Sequence, residues 1–379
     1  MTAVVNTVDL PKIWCDEDGH RKYEDFADFN EWFDSTEGAE LRVQALVEGL
    51  ANPSKAFFAG DREAYNVTLE GFRLDRRNEW LSADTLKELL GDTHWSERNT
   101  ARFDQLCDRM VSGEVVPFVG AGLSQPGGFP TWKEHLRQQG RTAGIDPAII
   151  EDLVAQGLYE EIVEQIEQQR GADVFAQELR DVFAKNGVIP PADYLVAELF
   201  QDTLITTNYD HLVEQSFDFG GDKAVQVLTP ATILEPPDAT KVTIIKLHGN
   251  VDAPASCILS KAQYAAAYGG ASIDLALPIP QALDYYFRNS SLLFLGCGLN
   301  QDRTVRVFEA IKVKARADGA DLPQHFSIEQ CPADEAALIA RNQYMLGIGV
   351  TPIWFPAGKF DFVEGILRLA RNELRFRRD

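Results

Sequence analysis

The run Val115-Val116-Pro117-Phe118-Val119 passes directly into Gly120-Ala121-Gly122-Leu123-Ser124-Gln125-Pro126-Gly127-Gly128, and Pro130-Thr131-Trp132-Lys133-Glu134 then opens a helix. Consecutive apolar residues suit a strand buried on both faces. Thr131 and Glu134 stand at the spacing of a capping box, in which a hydroxyl and a carboxylate each satisfy a backbone N–H at a helix start. Glycines at the strand end remove the Cβ atoms that would keep backbone N–H groups away from a phosphate, so dinucleotide binding is the first expectation. The match to G-x-G-x-x-G is incomplete: Gly120 and Gly122 fit, and Gln125 stands where the third glycine belongs. A tight turn after a core strand is the competing account of the same glycines.

The residues just beyond each later apolar strand sharpen this expectation. A chain of 379 residues with 45% hydrophobic content has material for two domains. From about residue 106 onward, unmixed apolar runs alternate with helical segments. Strands are expected at Leu204–Thr207, Val242–Leu247, Leu292–Leu295, His325–Ile328 and Val350–Phe355. Asp146-Pro147 is an N-cap followed by proline at the first helical position, and the helix it starts is expected to run to about Gln169. Such alternation predicts an α/β fold, a doubly wound parallel sheet covered on both faces, with a helical insertion after the glycine loop.

In that fold, ligands bind beyond the carboxyl ends of the strands. Gly120-Ala121-Gly122-Leu123-Ser124 comes after the first strand, Asn208-Tyr209-Asp210-His211 after the second, His248-Gly249-Asn250 after the third, and Gly296-Cys297-Gly298-Leu299-Asn300 after the fourth. Each residue has a plain structural alternative. Asn208 can cap the helix after it, His248 and His211 can be packed imidazoles, Asp210 can brace its loop, and Gly298 can be a turn glycine. Their gathering at one rim is what argues for a site.

Residues 1–105 carry no chemistry motif and read as a mostly helical accessory domain, with residues 106–379 as the catalytic unit. The aromatic cluster Phe26, Phe29, Trp32 and Phe33 is expected to be core. Phe57-Phe58 and Tyr65–Leu74 read as a short strand pair or irregular turn, and Leu41–Leu50 and Leu81–Leu90 as helices, the latter capped by Ser82 or Asp84. A net charge of −22 argues against a broad nucleic-acid or anionic-membrane surface, which needs clustered Lys and Arg. The five arginines between Arg368 and Arg378 are expected on a solvated last helix. The five cysteines, Cys15, Cys107, Cys257, Cys297 and Cys331, show no C-x-x-C spacing, which fits a reducing cytoplasm and no thiolate metal site. The first ten residues lack the basic and apolar regions of a secretion signal, and no apolar run is long enough to cross a bilayer.

Three motifs in order, Gly120-Ala121-Gly122-Leu123-Ser124, Thr206-Thr207-Asn208-Tyr209-Asp210 and Lys246-Leu247-His248-Gly249, resemble the sirtuin signatures Gly-Ala-Gly-x-Ser, Thr-x-Asn-x-Asp and His-Gly. The resemblance covers about residues 106–370 and is closest to the sirtuin-like branch of bacterial antiphage defence proteins, whose pattern Gly127-Gly128-Phe129-Pro130-Thr131-Trp132 and Ile353-Trp354-Phe355 are also similar to. It implies NAD as substrate. Gly120, Ala121, Gly122, Ser124, Asp210, Gly296, Gly298 and Asn300 would hold it, and Asn208 and His248 would perform the chemistry, with an unperturbed imidazole near pKa 6.5 as general base. Two departures matter. Deacylases of the family carry a module with four zinc-binding cysteines after His-Gly, and this chain offers only Cys257, Cys297 and, further on, Cys331. Gly296-Cys297-Gly298 replaces a Gly-[Thr/Ser]-Ser element that contacts the adenosine ribose. The resemblance therefore implies NAD+ glycohydrolysis without a metal. Protein deacylation, ADP-ribosyl transfer and non-catalytic sensing of NAD or ADP-ribose are the alternatives. A classical dehydrogenase is disfavoured, because a long helical stretch stands where its ribose-binding acid belongs. A silent resting state, a homo-oligomer and a partner such as a HerA-like ATPase are further expectations from the resemblance alone.

Overall fold

A computed structural model describes residues 17–82, 94–220, 223–300 and 302–378. The first sixteen residues and most of the helix expected over 81–90 lie outside the described residues.

Among the described residues, seven parallel strands form one sheet: β1 (Val115–Val119), β2 (Thr203–Thr206), β3 (Val225–Leu228), β4 (Val242–Lys246), β5 (Ser291–Leu295), β6 (His325–Gln330) and β7 (Val350–Phe355), in the order β3-β4-β2-β1-β5-β6-β7. This is the expected doubly wound architecture. The chain passes from β1 to β2, on to the edge strand β3, back inward to β4 and then across to β5 on the other side of β1, so the switch point lies between β1 and β5. Side-chain alternation explains why the strands read as unbroken apolar runs. Val119, Leu204, Ile244, Leu293 and Leu295 face one core, with Phe103, Leu195, Phe217, Ile366 and Leu374 from the covering helices. Phe118, Ile205, Ile245, Leu292 and Phe294 face the other, with Leu283, Phe287, Val305 and Phe308.

β3 was not foreseen. It is a four-residue edge strand paired only with β4, half-buried, and interrupted by Gln226, so it lacks the apolar run that marks the others. At the opposite edge, Asn99 imitates a strand partner for β7. Its side chain accepts from Trp354 N–H at 2.7 Å and donates to Trp354 O at 2.7 Å, while Arg102 donates to Pro352 O at 2.7 Å. Unpaired edge groups are thereby satisfied.

Four helices, Trp132–Thr142, Pro147–Ala155, Tyr159–Arg170 and Ala172–Phe183, form the insertion. The capping box is present, with Thr131 Oγ1 accepting from Glu134 N–H and the Glu134 carboxylate accepting from Thr131 N–H. The single helix expected from Asp146 to Gln169 is two helices, because the chain turns at Gly157 with φ +72°. The insertion has its own core, and Tyr209, Leu212, Val251 and Cys257 join it, so it sits against the rim where β2 and β4 end.

The N-terminal aromatics pack as expected, with Phe29, Phe33, Phe57, Phe58 and Tyr65 in one cluster. The strand pair or turn expected there is instead two helices, Pro53–Gly60 and Arg62–Arg77. Asp61 caps the second helix, and its apolar positions Tyr65, Leu69 and Phe72 recur on one face. The helix expected over 41–50 ends at Gln44, before Leu46 at φ +57°. The terminal arginines are not simply solvated. Arg371 and Arg375 reach Glu198, and Arg371 also reaches Asp28 at 2.5 Å. Arg377 reaches Asp104 and Asp108. The buried pair Arg73–Glu373, at 2.8 Å, joins the N-terminal helices to the last one. Among the described residues no helix is long and apolar enough to cross a membrane.

Candidate active site

Strand register brings the key residues together. Thr206 of β2 is paired with Lys246 of β4, and Leu247 N–H donates to Thr206 O at 2.9 Å. Asn208 and His248 each come two residues later, so they leave adjacent strands, about 4.8 Å apart, at the same level of the rim. Both are buried, at 5% and 9% exposure.

Asn208 is held from two sides. Its backbone N–H donates to Thr206 Oγ1 at 3.0 Å, and its Nδ2 donates to Ser124 Oγ at 3.0 Å. Ser124 in turn donates to Asp210 Oδ1 at 3.3 Å. The same carboxylate oxygen accepts from Leu212 N–H at 3.1 Å. The capping role open to Asn208 therefore falls to Asp210. Asn208 Oδ1 is buried without a hydrogen-bond partner among the described residues. A buried amide oxygen left unpaired costs on the order of 1–3 kcal/mol, and a ligand hydroxyl or water would satisfy it.

Two residues that sequence reading passed over shape this end of the site. Lys246 is fully buried, with Nζ on Glu214 Oε1 at 2.7 Å, on the Asp210 carbonyl at 2.5 Å and on the Tyr209 carbonyl at 3.4 Å. It clamps the backbone of the loop that carries Asn208. Asp193, in the first turn of helix Pro191–Leu199, is 1% exposed, and its Oδ2 has no hydrogen-bond partner among the described residues. Burial, and then the nearby Asp210 charge, push its carboxyl well above the usual range. Asp210 is also raised by burial, opposed by the Leu212 N–H and the Lys246 charge. In the sequence Asp193 passes for an ordinary first-turn acid, and Lys246 for the polar end of a strand.

His248 departs from expectation. Burial lowers its pKa to about 4, so the imidazole is neutral across the physiological range instead of titrating near 6.5. Its Nε2 lies 2.8 Å from Tyr268 Oη, and its Nδ1 lies 3.5 Å from Tyr264 Oη. Both tyrosines belong to helix Lys261–Tyr268 and stand at i and i+4, hence on one face. That helix was not foreseen. Ser260 and Gln263 form a capping box at its start, which is the one local signal for it. With the folded pKa below the unfolded one, the unfolded chain takes up this proton first, so the His248 contribution to stability is lost as pH falls from 6.5 towards 4. In a titration followed by NMR, the His248 ring protons are expected to stay at their neutral positions down to pH 5. A midpoint near 6.5 would contradict the burial. His211 stays at the periphery, on Asp252 at 3.1 Å and Glu214 at 3.5 Å.

The glycine loop meets the end of β5. Gly120 N–H donates to Leu295 O at 2.9 Å and Gly122 N–H to Gly296 O at 3.0 Å. A Cβ at Gly120 would stand 2.6 Å from Gly296 O, and one at Gly296, with φ +65°, would stand 2.4 Å from Leu123 N. The glycines are thus required by the contact between the two loops at the switch point, which is the turn-like account of them. Ala121 to Ser124 form one helical turn that buries Ser124 and leaves Ala121 partly buried and Gly122 exposed. Gly298 and Asn300 are exposed beyond β5. Arg341 donates to Gly298 O at 2.9 Å and Leu299 O at 3.1 Å, and Leu299 holds φ +40°. The structure thus links Ser124, Asn208 and Asp210 by hydrogen bonds and sets His248 on the next strand. Among the described residues, neither Gly298 nor Asn300 is hydrogen-bonded to that group. Among the described residues, no group of three or more His, Cys, Asp or Glu side chains is arranged to hold a metal ion.

A family model for a SIR2-like domain matches residues 202–352, from β2 into β7. Over those residues the chain is similar to a SIR2-like domain. The match includes Asn208, Asp210, His248 and the β5 loop; the glycine loop precedes it. Curated relatives agree with it. The chain is similar to the NAD(+) hydrolase ThsA of Acinetobacter baumannii (strain 532279), with 26% identity over 55% of this chain and 42% of that protein. It is 30% identical to NAD(+) hydrolase ThsA of Enterococcus faecium over 43% of this chain and 33% of that protein. For NAD(+) hydrolase ThsA of Cytobacillus dafuensis the identity is 28% over 39% and 28% of the two chains. The matched stretch covers less than half the length of each relative. The sirtuin-like resemblance read from three short motifs is borne out, and two of the motifs, at Asn208 and at His248, lie within the matched residues.

Proposed function

We propose that this protein is an NAD+ glycohydrolase, cleaving the nicotinamide–ribose bond to give nicotinamide and ADP-ribose. The observation that carries the reading is the buried Asn208 amide, fixed through Nδ2 by Ser124 and Asp210 with Oδ1 unpaired, at the same rim level as His248. The relatives named NAD(+) hydrolase support it.

The leaving group is already a cationic pyridinium. Its bond to C1′ breaks with the electron pair going to the ring nitrogen, so no general acid is required. The oxocarbenium-like sugar that results is strongly electrophilic and needs only a placed water, whose proton passes to a base. Asn208 Oδ1 would accept a hydrogen bond from that water or from a ribose hydroxyl. His248, neutral at physiological pH, would act as the base; a weak base suffices because the cation does most of the work of attracting the water. Ser124 and Ala121 would border the pyrophosphate. In this reading Asp210 orders the loop, and Gly298 and Asn300 lie outermost, nearest the adenosine.

Hydrolysis without restraint would exhaust a cell's NAD. A resting state released by assembly or a partner is therefore part of the proposal, as is a role in abortive infection during antiphage defence. The test is incubation of the purified protein with NAD+ alone and mass analysis of the products. Equimolar nicotinamide and ADP-ribose are expected, formed slowly by the resting protein and faster once it is driven to assemble; full-rate turnover by the resting protein would refute the restraint. Consumption only when an acylated or acceptor protein is present would replace hydrolysis with deacylation or ADP-ribosyl transfer.

A further inference from the structure

Both ring nitrogens of His248 face tyrosine hydroxyls. Nε2 lies 2.8 Å from Tyr268 Oη and Nδ1 lies 3.5 Å from Tyr264 Oη, with ring centroids 6.0 Å and 5.2 Å away. A ribose hydroxyl or a water reaches either nitrogen only by taking the place of one of these hydroxyls. Both tyrosines stand on the inner face of helix Lys261–Tyr268, whose outer residues Lys261, Ala262, Gln263 and Ala266 are exposed. The helix covers the imidazole, so it has to shift before His248 can act.

Little apolar surface holds this helix down. Tyr264, Ala267 and Tyr268 join the core on that side of the sheet, and the other residues are alanine, lysine and glutamine. Hydrophobic attachment scales with the area buried, so the polar tie at the end of the helix carries much of the hold. Arg303 Nη1 donates to the Gly269 carbonyl at 2.9 Å and to the Gly270 carbonyl at 3.0 Å, immediately beyond Tyr268. Its Nε and Nη2 donate to the two carboxylate oxygens of Glu160 at 2.8 Å and 3.0 Å. A two-pronged pair of this kind fixes the plane of the guanidinium as well as its charge. Glu160 thereby aims Nη1 at the two carbonyls. Three parts of the molecule meet here. Arg303 opens helix Arg303–Asp318, which Val305, Val307 and Phe308 root in the core of the sheet. Glu160 is in the first turn of insertion helix Tyr159–Arg170, whose Ile162, Val163 and Ile166 belong to the core of the insertion. Gly269, at φ +104°, is where the backbone of the covering helix turns away.

We propose that helix Lys261–Tyr268 is a latched cover over His248 and that the Arg303–Glu160 pair is its latch. When the insertion and the sheet part at this pair, the end of the helix is released and the tyrosines leave the imidazole. As a statement about access to His248 this is independent of the reaction. As a statement about regulation it rests on the NAD+ hydrolase reading, and it gives the restraint in that reading a physical seat.

The test is modification of His248 by diethylpyrocarbonate, mapped by mass spectrometry, with NAD+ turnover and melting curves measured on the same proteins. The reagent attacks a neutral ring nitrogen that it can reach. His248 titrates at about 4, so its reaction near neutral pH reads access alone. Slow modification is expected in the unsubstituted protein. Glu160→Gln and Arg303→Met are each expected to speed it about tenfold and to raise the NAD+ turnover of the resting protein by a similar factor, the shift in an opening equilibrium that loss of one charge-assisted pair produces. Arg303→Lys keeps the charge without the fork and is expected to fall between. Lys261→Gln is the control. Its partner Glu161 is 3.1 Å away and the lysine is half-exposed, and because a surface pair of that kind contributes little, a change under about twofold is expected. Should Arg303→Met fail to fold, Glu160→Gln decides alone. Unchanged modification of His248 in a folded Glu160→Gln protein, or faster modification with turnover lowered, would overturn the proposal. Faster modification in a protein that hydrolyses no NAD+ in any form would leave the cover standing and remove the reaction from the site.

Discussion

Asn208→Ala is expected to abolish NAD+ hydrolysis while leaving the fold in place, and His248→Ala to do the same at a higher structural cost. Removing a group that positions or deprotonates a nucleophile lowers turnover by about 10²- to 10⁴-fold. Asn208 gives one side-chain hydrogen bond to the protein, to Ser124, and Ser124 retains Asp210. The stability lost on truncation is therefore about 1 kcal/mol, well below what unfolds a domain of this size. His248→Ala is harsher: it opens a cavity and strips Tyr268 and Tyr264 of a partner. His248→Gln, which keeps polar atoms in the space, is the better comparison. The measurements are NAD+ consumption and the far-UV circular dichroism melting curve of each variant. A folded Asn208→Ala protein that keeps the rate of the unsubstituted enzyme would remove the amide from the mechanism.

Lys246→Met is expected to destabilise the protein by about 3–5 kcal/mol, because it strands the Glu214 carboxylate in the interior. Lys246 is fully buried and Glu214 nearly so, with its second oxygen already unpartnered among the described residues. The Lys246 charge is what offsets burial and keeps the Glu214 carboxyl below its ordinary range. Removing that charge leaves burial to push the carboxyl up, and Glu214 protonates or unfolds its surroundings. Replacing both partners by apolar residues, Lys246→Met with Glu214→Leu, is expected to recover most of the loss, as buried pairs often tolerate joint replacement. Activity should not return with it. The Tyr209 and Asp210 carbonyls lose their donor in both variants, and the loop that aims Asn208 loses its tether. Chemical denaturation and NAD+ turnover, measured on the single and double variants, separate the two effects. A double variant that regains both stability and turnover would show that Lys246 serves the core alone.

These two cases also show where sequence reading stopped. Asn208 and His248 were legible because they sit immediately after apolar strands, and in a parallel sheet that position alone puts them on one rim. Lys246 occupies the last position of such a strand, and nothing local distinguishes a buried lysine from one that reaches solvent. Its role comes from Glu214 on the helix after β2, 32 residues away. The tyrosines are a similar case. Their i, i+4 spacing suggests only a helix face, and it is the docking of that face against the loop after β4 that makes them partners of an imidazole.

The glycine loop was legible for a partly different reason than the one that drew attention to it. Glycines after a strand signal close approach, and close approach was found, of the β1 loop to the β5 loop.

By itself, the order of residues determined six of the strands of the central sheet, their parallel direction and the edge at which chemistry collects, because apolar runs and helix caps act over a few neighbours. It also carried the three motifs of a sirtuin-like protein. Only the tertiary structure decided the proton affinity of His248, the pairing of Lys246 with Glu214, the unshared oxygen of Asn208 and the tyrosine hydroxyls set against the imidazole. Burial and hydrogen-bond partnership depend on what the rest of the molecule places around a group, and those neighbours lie tens of residues away along the chain.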